Sequence, residues 1–339
     1  MRYFMIKKTY SFEKNGNQND VFTLSNENGM EVDILTYGGH ITRISAPDKN
    51  GNFGDCLVGC KTPEDYYESN PYFGATIGRY GNRIDKGKFT LNGVEYTLEI
   101  NDRSNHLHGG TSSNFDRVLW NAEVKGETLV LSHTSPDGAG GYPGELKVQV
   151  SFTLTSDNAL EIEYYAISDK DTVCNLTNHA YFNIGGQDTV LGHELFIKSR
   201  QITPVDEELI PHGEFMDIDG TPYSFYPAKP LGQDMFSDAK FIKACNGYDF
   251  NYCLERETAH DLEHFAFVYD PETGRKMDCY TACGTGGFKG KKNYVNHCAL
   301  CLETQGYPNS PNCPEYPTTT LKAGEEYKEK TVYKFSVVK

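Results

Sequence analysis

"GETLVLSHTSPDGAGGYPGELKVQVSFTLTSDNALEIEYYAISDKDTVCNLTNHAYFN", Gly126 to Asn183, reads as four strands in succession. Its arm Leu146–Thr155 alternates apolar and polar side chains, the pattern of a sheet that is dry on one face and wet on the other. Gly, Pro and Asp clusters separate the arms, and these are the residues that turns require. The same rhythm extends outward. Residues 20–59 alternate around Asn28-Gly29 and Asn50-Gly51, and Lys88–Asp102 is a hairpin folded at Asn92-Gly93. Residues 62–70 predict a short helix or turn, with Thr62 as cap and Pro63 in its first turn. The final segment, "KTVYKFSVVK", reads as a possible edge strand. No helical period holds over ten residues, and no linker marks a boundary. The expectation is an all-β chain, residues 1–339 as a single domain, built as a large antiparallel sandwich with long loops.

Composition agrees. The chain has 339 residues, rich in Tyr (23), Phe (19) and Gly (33), enough for an extensive core without metal or disulfide support. Its formal charge of -15 repels phosphate backbones and anionic lipid, so neither nucleic acid nor a membrane is the expected partner. The opening "MRYFMIKKTYSFEKNG" holds no apolar run of signal-peptide length, which makes the cytoplasm the expected compartment. There the ten cysteines are expected to be reduced.

Four segments break the β rhythm with reactive groups. Gly78–Gly87, "GRYGNRIDKG", sets Arg79, Asn82 and Arg83 among glycines. This is either a loop whose arginine caps sheet carbonyls or a fork of donors for hydroxyl groups. Asn105–Gly110, "NHLHGG", places His106 and His108 two apart, on one face if extended. One working and one satisfied histidine is the favoured reading over a zinc pair. In Asn175–Asn183, "NLTNHAYFN", extension would put Asn175, Thr177, His179 and Tyr181 on one face and Cys174, Leu176, Asn178, Ala180 and Phe182 on the other. His297–Asn312, "HCALCLETQGYPNSPN", buries Glu303 in an apolar run, where a carboxylate needs donors or a task. The cysteines of "CYTAC" and "HCALC" suffice on paper for zinc, but Cys298 and Cys301 on a strand would face opposite ways. Two histidines, a buried glutamate, the Arg-Asn fork and Asp249 compose an acid/base set, and no cofactor-binding signature accompanies them.

Together, "FGATIGRYGNRI", "LHGG", "SPDGAGGYPGEL", "NLTNHAYFN", "NGYDFNYCL" and "LETQGYPNSPN" resemble the aldose 1-epimerase (galactose mutarotase) family in order and spacing. The resemblance implies a galactose mutarotase-like β-supersandwich with an open sugar-binding cleft. It implies cofactor-independent, metal-free interconversion of the α and β anomers of free hexoses such as galactose and glucose, by a monomer or homodimer. Glu303 is then similar to the family's general base, His179 to its general acid, and His108 to a second histidine near the ring oxygen. Asn82, Arg83 and Asp249 resemble the groups that hold the sugar. A non-catalytic carbohydrate-binding protein and a hexose-6-phosphate epimerase of the same fold are the alternatives. Two positions depart from the family pattern: Phe250 stands where a histidine is usual, and Gly286 falls roughly where a glutamine is usual, with Cys283 at a proline position. A hydroxyl contact is then lost or falls to another group.

Overall fold

Asn92 and Gly93 both take left-handed φ (53° and 78°), which lets strands Lys88–Leu91 and Val94–Thr97 close into the expected two-residue hairpin. Turns of this kind organise a computed structural model whose described residues are 4–68, 71–258, 261–282, 285–289 and 297–339. Strands dominate, and the α-helix Lys240–Cys245 spans six residues. Pro63–Tyr67 forms the short helix anticipated near Thr62, where the Asp65 carboxylate accepts from the Thr62 N–H at 3.0 Å.

The largest sheet has nine antiparallel strands. In spatial order they are Asn121–Lys125, Thr128–Ser135, Leu146–Leu154, Ala159–Ser168, Glu326–Val337, Arg275–Thr281, Glu263–Tyr269, Glu194–Ile197 and Lys229–Pro230. The alternation in Leu146–Leu154 is realised: Leu146, Val148, Val150, Phe152 and Leu154 are buried. Glu326–Val337 is not an edge. It lies between Ala159–Ser168 and Arg275–Thr281, because its own apolar side chains, Val332, Tyr333 and Phe335, belong to the core.

Two five-stranded sheets complete the layers. One runs from Met5–Lys14 to Phe53–Asp55 in sequence order. The other has the order Met216–Asp217, Ser199–Thr203, Asp249–Leu254, Thr285–Lys289, Cys301–Gln305. One apolar cluster joins all three, from Phe22 and Val32 through Val150 and Ile162 to Tyr252 and Leu302. At roughly 1.5–3 kcal/mol per fully buried large side chain, this continuous core is the main source of stability.

Short pairings over the core bring the reactive segments together. Thr177–His179 pairs with Ala75–Ile77, and Arg83–Ile84 pairs with His106–Leu107. Gly109 sits where these segments cross. Its φ is +85°, and a Cβ there would lie 1.9 Å from the carbonyl oxygen of Gly78. Gly109→Ala should therefore cost at least about 1–3 kcal/mol, seen as a lowered urea midpoint. An unchanged midpoint would contradict the close approach.

Candidate active site

The polar groups around His179 divide into staples and reactive atoms. Asn175 Nδ2 donates to the carbonyls of Gly81 (3.1 Å) and Gly306 (3.2 Å), while its Oδ1 accepts from Gly306 N (2.7 Å). One amide thus ties three sequence motifs side by side. Asn178 Nδ2 donates to Gly74 O at 2.8 Å, and Asn183 Nδ2 donates to Cys298 O at 2.8 Å. Leu176, Ala180 and Phe182 face the main core, as the alternation requires. The segment keeps its alternation across the break between strands Thr177–His179 and Tyr181–Phe182.

His179 is left in a fixed pose, with no exposed surface. Its Nε2 lies 3.3 Å from Glu303 Oε1, and its Nδ1 lies 3.6 Å from Cys301 Sγ. Tyr181 stacks on the imidazole at 5.0 Å between ring centres. Tyr72 stacks at 5.8 Å and also touches His108. Cys301 and Glu303 alternate along strand Cys301–Gln305, so both side chains meet the same ring. Burial pushes the Tyr72 phenol up to about 12 and Tyr181 well above its ordinary value, so both remain neutral donors.

The two candidate histidines of "NHLHGG" do not share a face. His108 has a left-handed φ of 51°, which breaks the strand after Leu107 and turns its ring away from that of His106. His106 is satisfied: Nδ1 lies 2.6 Å from Glu99 O, and Nε2 lies 2.6 Å from Tyr142 Oη. Burial lowers its pKa. His108 instead meets His179 edge-on at 5.2 Å. The Asn82 N–H donates to His108 Nδ1 at 3.0 Å, which assigns the ring proton to Nε2.

The arginines separate in the same way. Arg79 is buried and donates to Ser135 Oγ and to the carbonyls of Ser135, Pro136 and Pro143. It is the carbonyl cap. Arg83 Nε donates to Asp102 Oδ2 at 2.8 Å, which turns the guanidinium toward a cleft. Asn82, Arg83, Asp249 and Glu303 line that cleft. Glu303 is 3% exposed and joins the cleft to the histidine cluster. Four of the six candidate residues, Asn82, Arg83, Asp249 and Glu303, thus line the cleft, Glu303 and His108 both meet His179, and the Asn82 N–H also fixes His108.

The side-chain donor atoms of His108, His179 and Glu303 lie within 4.8 Å of one another, close enough to suggest a metal. The tautomer argues otherwise. His108 Nε2 holds the proton, and freeing it while Nδ1 still accepts from Asn82 would require an imidazolate. Among the described residues the cysteines join no such group. Cys298 and Cys301 share one apolar cluster rather than opposite faces, because strand Cys301–Gln305 begins only at Cys301. Cys279 lies in the main core, and Cys283 falls outside the described residues.

Of the departures from the family pattern, Gly286 pairs with Thr304, while its neighbour Gly287 pairs with Glu303. Phe250 packs against Tyr223 and Tyr248. Sequence reading did not single out Tyr72, Asp102 or Thr203. Cys301 was weighed only as a zinc ligand, although its alternation with Glu303 already placed it on the same face.

The aldose 1-epimerase family profile matches residues 20–334. The chain belongs to the aldose 1-epimerase family. Galactose mutarotase of Sus scrofa is 41% identical over 322 residues, covering 91% of this chain and 92% of that protein. Aldose 1-epimerase of Escherichia coli K12 is 33% identical, with 98% and 99% covered. Among solved structures, galactose 1-epimerase from Lactobacillus acidophilus superimposes with a TM-score of 0.87 at 25% identity, covering 99% of this chain and 100% of that one. The C. elegans GalM/aldose epimerase homologue gives the same TM-score, 0.87, over 95% of this chain and 100% of that one. The all-β galactose mutarotase-like architecture is thereby shown.

Asp102 makes the Arg83 pose testable. Asp102→Ala releases Nε, and the KM for a hexose should rise roughly tenfold while the fold is retained. An unchanged KM would show that the guanidinium needs no anchor.

Proposed function

We propose that this epimerase is a mutarotase of free hexoses, interconverting the α and β anomers of sugars such as D-galactose and D-glucose without metal or cofactor. The observation that carries the reading is the buried 3.3 Å contact between His179 Nε2 and Glu303 Oε1 at the edge of a cleft lined by Asn82, Arg83 and Asp249. The two oxygens to be served, the anomeric hydroxyl and the ring oxygen, share one carbon. Their acid and base must therefore be close neighbours, as these two are.

In the proposed reaction Glu303 removes the proton of the C1 hydroxyl as protonated His179 delivers its Nε2 proton to the ring oxygen. The bond between C1 and the ring oxygen breaks, leaving an open-chain aldehyde with no change in total charge. Rotation about C1–C2 presents the other carbonyl face. Closure returns the hydroxyl proton to His179 and the Glu303 proton to the new C1 oxygen. Cys301 Sγ accepts from Nδ1–H throughout, so that Nε2 is the nitrogen that cycles. His108 Nε2–H supports the charge that grows on the ring oxygen. Asn82, Arg83 and Asp249 hold further hydroxyls of the ring.

A free sugar fits better than a phosphorylated one. Among the described residues the cleft carries two carboxylates, Asp249 and Glu303, against Arg83, which is already bonded to Asp102. The cytoplasm remains our reading for the compartment, supported by nine free cysteines among the described residues.

His179→Asn and Glu303→Gln should each lower kcat by roughly 10²–10⁴-fold with the circular dichroism unchanged. Polarimetry of freshly dissolved α-D-galactose and α-D-glucose measures this. Near wild-type rates in either variant would end the assignment.

A further inference from the structure

A row of paired residues crosses the sheet that carries Glu303. Thr203 pairs with Asn251, Asn251 with Gly287, and Gly287 with Glu303. Directly opposed residues of an antiparallel sheet project to the same face. The alternate residues Ile202, Tyr252 and Leu302 face the main core, so Thr203, Asn251 and Glu303 face the cleft that all three line. Between Asn251 and Glu303 the row holds a glycine, a gap in the floor beside the proposed base.

Thr203 and Asn251 are polar groups in a costly place. Thr203 is fully buried and Asn251 is 4% exposed. Among the described residues, neither the Thr203 hydroxyl nor either polar atom of the Asn251 amide has a hydrogen-bond partner. Buried amides almost always have one. A side chain kept here without one, facing a cleft, is poised for a ligand.

We infer that Asn251, backed by Thr203, binds the hydroxyls on the edge of the sugar remote from C1. This rests on the mutarotase reading above. Two strand spacings, roughly 10 Å, separate Asn251 from Glu303 across the glycine gap. With Glu303 at the anomeric hydroxyl, a pyranose lying over the gap turns its C3–C4 edge to Asn251. An amide offers one donor and one acceptor side by side and so matches a vicinal diol: Nδ2 donates to one hydroxyl oxygen, and Oδ1 accepts from its neighbour. Thr203 Oγ1 completes the set. Asn251 is a positioning residue that moves no proton, and it sets which C4 configuration the cleft prefers.

Steady-state polarimetry with D-galactose and 4-deoxy-D-galactose tests this. In the unaltered protein the deoxy sugar should show a KM roughly tenfold higher. Asn251→Ala should raise the galactose KM by about tenfold, change kcat less than about threefold, and erase the difference between the two sugars. Thr203→Val should show the same pattern more weakly. A merely structural role would leave the sugar discrimination intact. If Asn251→Ala does not fold, Asn251→Ser and the two sugars on the unaltered protein carry the test. Equal KM values for both sugars in the unaltered protein, or undiminished discrimination in the variant, would overturn the inference. Absence of any mutarotation by the unaltered protein would instead refute the mutarotase reading.

Discussion

A carboxylate buried against an imidazole is the constraint around which the rest of the chain is arranged. Glu303 and His179 are almost wholly removed from water, 3.3 Å apart. Neither stays buried cheaply alone, since an uncompensated charge in such a place costs several kcal/mol. The pair therefore needs rigid support on both sides. Strand Cys301–Gln305 supplies Glu303 from a sheet whose other face is fused to the main core, and Thr177–His179 supplies the histidine from above. Asn175 then clamps these two segments to the loop that bears Asn82 and Arg83.

The same loop depends on the far end of the "LETQGYPNSPN" motif. Asn309 N–H donates to Arg83 O at 2.9 Å, and Tyr80 Oη donates to Tyr307 O at 3.0 Å. Most of the polar residues that made the motifs conspicuous are therefore backbone staples. In the proposed reaction a few side chains act, and the others hold them to the tolerance that paired proton transfer demands.

Much of this was legible in the sequence. Asn92-Gly93 fixed its hairpin by turn chemistry alone, and Leu146–Leu154 declared its buried face by alternation. Alternation likewise put His179 opposite the face bearing Leu176, Ala180 and Phe182. Local pattern failed wherever the answer lay in a distant partner. "KTVYKFSVVK" looked like an edge because nothing nearby announces that Ala159–Ser168 and Arg275–Thr281 flank it. His106 and His108 looked like face-mates because a left-handed φ at His108 has no strong local signature. Arg79 and Arg83 are equivalent in composition, and only the carbonyls around one and the Asp102 carboxylate beside the other tell them apart. Tyr72 gave no signal at all among so many tyrosines. Asn251 gave a usable one, since it lies two residues from Asp249 on the same strand face.

The proposed chemistry requires one hexose to be met by both members of the buried pair at once. A crystal structure with D-galactose bound is the direct test. It should place the ring oxygen within hydrogen-bonding distance of His179 Nε2 and the anomeric hydroxyl against Glu303 in the same molecule. A sugar seated so that only one of the two side chains reaches it, or bound outside the cleft, would contradict the account.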